Sequence, residues 1–176
     1  MRDIIKGFGL LIAGLIVAII IYPIAHESGH ALFALLVGAD EVSIRIFPTP
    51  FTVCNIIGVH KFGQIIIGFG GILFPVLLSL FTYRKFFWLW YANFVFKLIT
   101  MWSLVISIIS GVLFICGYPM KDDDVTQILT KWPSGYYLII FSLIIIFTLL
   151  VVVTIKERPF KRCLNYFIRN EKTSAA

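Results

Sequence analysis

Apolar residues run through this chain in long blocks separated by short polar breaks. The first block spans residues 4–38, where IIKGFGLLIAGLIVAIIIY passes through YPIAHESGH into ALFALLVG before Gly38 stops it. At 1.5 Å per residue such a helix would be about 50 Å long, against a bilayer hydrocarbon core of about 30 Å. It must therefore tilt, bend or protrude. Pro23 supplies a place to bend, because it cannot donate a hydrogen bond to the residue four positions earlier. Gly29, Ala25 and Ser28 are small, so a neighbouring backbone can approach the helix there.

Over residues 41–60 the period changes. Val42, Ile44 and Ile46 alternate with Ser43, Arg45 and Phe47, and Pro-Thr-Pro separates them from a second β-branched run, which predicts a hairpin. Helical blocks return at residues 62–82, 86–116 and 134–155. The block at 62–82 carries GFGG at 68–71 and Pro75, with Arg84 and Lys85 just beyond it. The block at 86–116 opens on the aromatic cluster Phe86, Phe87, Trp88, Trp90 and Tyr91. The tail, residues 156–176, is basic with interleaved Phe160, Leu164, Tyr166 and Phe167, the pattern of an interfacial amphipathic segment.

Composition sharpens this picture. With 60% hydrophobic and 14% charged residues, and a mean hydropathy of +0.97, the chain departs far from a soluble domain. The pattern predicts an all-α polytopic membrane protein with about four transmembrane helices and a small membrane-associated hairpin. The 176 residues leave room for one unit, residues 1–176, and predict a multi-pass protein of the cell membrane.

The net charge of +6 does not point to nucleic acid, because most cationic residues flank apolar blocks and meet headgroups there. Arg2, Lys6, Arg84, Lys85 and the six cations of residues 156–172 make ten on the side of the termini; Arg45, Lys61, Lys121 and Lys131 make four on the hairpin side. By the positive-inside rule both termini face the cytosol. Cys54, Cys116 and Cys163 are odd in number, widely spaced and lack a CxxC, so neither a disulfide framework nor a thiolate zinc site is expected.

Candidate chemistry sits inside the first block. Residues 26–30 read His-Glu-Ser-Gly-His, the HExxH pattern, in a chain with only three histidines. Residues four apart lie on one helical face, so His26 and His30 can reach one zinc ion, with Glu27 beside them as a proton acceptor. A charge at bilayer depth is costly unless something compensates it, and a metal would.

A catalytic zinc needs a third protein ligand. Asp40 and Glu41 follow the motif helix too closely to fold back, and His60 reads as a structural histidine in a turn. Asp122, Asp123 and Asp124 remain, and the same three also read as the N-cap and first turn of a helix over VTQILTKW. Lys97, with Asn93 one turn earlier, lies within an apolar block and is either functional or a snorkelling side chain.

HESGH on a first membrane helix, then a β-like loop, further membrane helices and a late Asp motif resemble the site-2 protease family of intramembrane zinc metalloproteases. The likeness is to the short forms without soluble domains. That family's second motif is usually LDG followed by G-R-x-L or similar, and its Asp completes the metal site. Here Asp124-Val125-Thr126-Gln127-Ile128-Leu129 keeps the spacing, with Val125 in place of the glycine and Asp123 in place of the leucine.

The resemblance implies one Zn2+ on His26, His30 and Asp124, with Asp123 the alternate, and Glu27 as the catalytic base of a zinc metalloendopeptidase. It also implies an active site approached from the cytosol, against the charge count. The substrate would be a membrane protein or membrane peptide in the bilayer, with Ile44, Ile46, Asn93 and Lys97 as candidate substrate-binding residues. A free hairpin edge would bind it by strand addition. An inactive scaffold or chaperone of protease descent, and a divalent-metal transporter, are the alternative readings; nothing in the sequence sets the oligomeric state.

Overall fold

The computed structural model describes residues 2–81, 86–121 and 123–172; Arg84, Lys85 and Asp122 fall outside them. The chain is mostly helical, with a two-stranded antiparallel sheet and four helices long and apolar enough to cross a membrane. Helix α1 (Arg2–Ile16) runs through a π-helical turn, Val17–Ile21, into α2 (Tyr22–Leu36). The turn widens where Pro23 withdraws its donor: the Tyr22 amide bonds back five residues to the Val17 carbonyl.

Helix α2 ends on Gly38, whose φ of 79° lets the Gly38 amide reach Leu35 and the Ala39 amide reach Ala34. Gly117 ends α4 (Phe87–Ile115) in the same way.

The hairpin is tighter than its sequence period suggested. Strand β1 covers Asp40–Arg45 and β2 covers Phe51–Asn55, in the register Ser43 to Val53 and Ile44 to Thr52, with a bulge between Asp40 and Ser43. Ile46 therefore lies in the turn. His60 caps α3 (Lys61–Leu80), its ring accepting from the Phe62 amide. A short helix α5 (Asp124–Lys131) and one 3-10 turn lead into α6 (Tyr136–Lys156) and α7 (Pro159–Lys172).

Packing divides into a core and a clasp. Ile65, Ile72, Leu104, Val125, Ile128, Leu129, Ile139 and Leu143 join α3, α4, α5 and α6 in one apolar cluster. The short α5 is thus inserted among longer helices, with Val125, Ile128 and Leu129 fully buried. Helices α2 and α3 touch backbone to backbone at Gly29 and Gly70. The outward faces of α1, α4 and α6 expose large apolar side chains, among them Leu11, Trp102 and Phe141.

The tail forms helix α7, which packs along the aromatic start of α4, with Tyr166 stacked on Phe87 at 3.8 Å and the Arg162 guanidinium 5.2 Å from the Trp90 ring. Lys6 of α1 sits over Phe167, 5.8 Å from its centroid, so the two ends of the chain meet.

One expectation is corrected: Lys97 does not snorkel. It is fully buried and donates to Glu157, at the end of α6, a partner sixty residues away that no local pattern could reveal. Removing one member of a buried pair strands the other's charge, at a cost of about 3 to 5 kcal/mol. Lys97→Met should therefore lower the thermal midpoint in detergent sharply, and Lys97→Met with Glu157→Gln should recover most of it. An unchanged midpoint in the single variant would show that the pair contributes nothing.

Candidate metal centre

Helix geometry brings His26 and His30 onto one face of α2, and their Nε2 atoms lie 3.3 Å apart. Helix α5 delivers Asp124 from nearly a hundred residues further on. Its Oδ2 is 3.2 Å from His26 Nε2 and its Oδ1 is 3.3 Å from His30 Nε2. Three donors with metal-ligand bonds of about 2.0 to 2.1 Å in tetrahedral array are separated by about 3.3 Å. The side chains present therefore fit zinc in both donor type and spacing. Glu27 borders the same site, with Oε1 4.0 Å from His26 Nε2, and belongs with both histidines to one group of convergent ligand atoms.

The surroundings fix each ligand differently. His30 Nδ1 is 2.8 Å from the Ile67 carbonyl of α3, which can only accept, so Nδ1 is a donor and Nε2 is the ring atom that faces Asp124. His26 Nδ1 is buried with no hydrogen-bond partner among the described residues. Burial pushes the Asp124 carboxyl up, but hydrogen bonds with His26 and His30 outweigh burial and hold it well below the ordinary carboxylate range.

Capping distinguishes the two described aspartates. Asp123 is the N-cap of α5: its Oδ2 accepts from the Thr126 amide at 3.0 Å and from the Ser110 hydroxyl of α4. Ser110 also lies 3.1 Å from Thr126 Oγ1. With Asp123 so occupied, the next residue of the turn points to the histidines.

Glycine supplies the space. A Cβ on Gly71 would lie 2.2 Å from His30 Nε2 and 2.9 Å from His26 Cε1. Neither the Ser110 clamp nor the Gly71 clearance was read from the sequence; GFGG suggested only close helix contact.

A cavity of about 590 Å³ opens from the ligands toward the hairpin. Its wall on that side is β2, through Phe51, Thr52, Val53 and Cys54, and not β1. Thr52 anchors the strand by donating to the Glu27 carbonyl at 2.7 Å. Of the candidate substrate residues, Ile44 pairs with Thr52 without lining the cavity, Ile46 lies in the turn, and Asn93 and Lys97 belong to the interior of α4. Neither Asp40 nor Glu41 lines the cavity. On the other side of His26, a second cavity of about 300 Å³ is bordered by Tyr22, Ser103, Ser107 and Asp124.

No family model, curated protein or solved structure matches this chain.

Proposed function

We propose that this chain is an integral membrane zinc endopeptidase that hydrolyses peptide bonds of membrane proteins within or beside the bilayer, in the manner of the site-2 proteases. One observation carries the reading: His26, His30 and Asp124 present three donor atoms at 3.2 to 3.3 Å with Glu27 beside them. The lipid setting rests on four long apolar helices whose outward faces are apolar as well.

His26, His30 and Asp124 would hold a zinc ion, whose Lewis acidity would lower the pKa of water and polarise a carbonyl. The chain does the rest. Glu27 takes a proton from the attacking water and returns it to the departing amine nitrogen. The Ile67 carbonyl holds the His30 ring, and the Ser110 to Asp123 contact holds the turn that presents Asp124. A substrate helix buried in lipid has its carbonyls engaged in its own hydrogen bonds and must unwind to react. The edge of β2, which walls the cavity, would receive the unwound segment as an added strand.

Metal analysis of purified protein tests the centre. Wild type should carry about one zinc per chain, and Asp124→Ala should bind it at least tenfold more weakly. Asp123→Ala removes a cap worth about 1 kcal/mol and should retain zinc at a smaller loss. Zinc held by Asp124→Ala as tightly as by wild type would rule out this ligand set.

A further inference from the structure

The cavity carries a cation that hydrolysis does not use. Of the residues lining it, Lys131 alone bears a fixed positive charge; the others include the carboxylates Glu27 and Asp124 and the carboxamides Gln64 and Gln127. The Gln64 carboxamide is engaged with the Val59 carbonyl, at 3.1 Å. Lys131 is half-buried, and among the described residues its ammonium has no ion-pair or hydrogen-bond partner.

Asp124, Gln127 and Lys131 follow one another at helical spacing along one face of α5. Asp124 stands at the inner end with the histidines, and Lys131 lies seven residues on, about 10 Å away along the axis. A segment laid beside β2 rises about 3.3 Å per residue, so that interval spans about three residues.

We propose that Lys131 is a substrate-binding residue that receives a carboxylate about three residues from the cleaved bond. The substrates are then peptide segments with an acidic side chain at that distance, or with a free C-terminus there. This inference rests on the hydrolase reading above. Lys131 also ends α5, where a cation suits the carbonyl end of the helix dipole; that role alone makes no demand on substrate charge.

The test uses ten-residue apolar peptides in detergent with both ends blocked, carrying Glu, Gln or Lys at one scanned position. A parallel set has no acidic side chain and a free C-terminus. Cuts by the zinc-loaded full chain are mapped by mass spectrometry. Binding of the same peptides to metal-free Glu27→Gln protein is followed by fluorescence anisotropy.

Wild type should favour Glu over Gln peptides at least tenfold in kcat/KM, with cuts about three residues from the acid, and binding should show the same order. Lys131→Gln should bring the ratio near one, Lys131→Arg should keep it, and Lys131→Glu should invert it toward Lys peptides. Position-locked cuts only in the free C-terminus set would identify the carboxylate as the chain end and also support the subsite. Cleavage with no acidic preference, or a preference untouched by Lys131→Gln, would overturn the subsite and leave hydrolysis standing. No cleavage of any peptide by wild type would overturn the hydrolase reading and this inference with it.

Discussion

Glu27→Gln should leave the protein with its zinc and lower turnover by about 10²- to 10⁴-fold, the usual loss when a general base is removed. The substitution preserves size and both hydrogen-bonding positions while abolishing the ability to take a proton at neutral pH. Metal retention follows from the geometry. The 3.2 to 3.3 Å triangle is made by His26, His30 and Asp124, whereas Glu27 approaches His26 Nε2 only to 4.0 Å. Zinc analysis beside cleavage of a co-expressed single-pass substrate therefore separates two roles. Full zinc with lost turnover is the signature of a base; lost zinc would make Glu27 a ligand. Cleavage at the wild-type rate would remove Glu27 from the mechanism.

The parts of the site that were legible in the sequence are those whose determinants are local. HExxH needs only helical spacing to place His26 and His30 together, and a period-2 run bounded by Pro-Thr-Pro is enough for a hairpin. The strand that faces the ligands was not legible, because it depends on the bulge between Asp40 and Ser43 and on the Thr52 contact with the Glu27 carbonyl. Three consecutive aspartates could not be ranked from composition, since capping and metal ligation favour the same residue type at a helix start. Ser110 decides between the two described ones by engaging Asp123 from another helix. Lys97 illustrates the same limit: its burial is compensated by Glu157, whose proximity is a property of how α6 packs against α4.

Glycine substitutions at the α2 and α3 contact should have the largest effects on the assembled centre. Replacing an exposed helical glycine by alanine ordinarily favours the helix by up to about 1 kcal/mol. Gly7, with nothing within 4 Å of an added Cβ, should follow that rule and serves as the control. At Gly29 the added carbon would lie 2.2 Å from the Gly70 carbonyl oxygen and 2.8 Å from the carbonyl carbon. Backbone cannot rotate away, so α2 and α3 must separate, and overpacking costs of about 1 to 3 kcal/mol or more outweigh the gain in propensity. At Gly71 the collision is instead with the imidazole of His30, a side chain that can turn. Gly71→Ala is thus expected to keep the fold and lose zinc affinity by at least tenfold, while Gly29→Ala loses both. Thermal unfolding and zinc content measured on all three variants check the order. Full zinc in Gly71→Ala would mean that the imidazoles do not need the space the glycine leaves them, and the ligand arrangement would have to be redrawn.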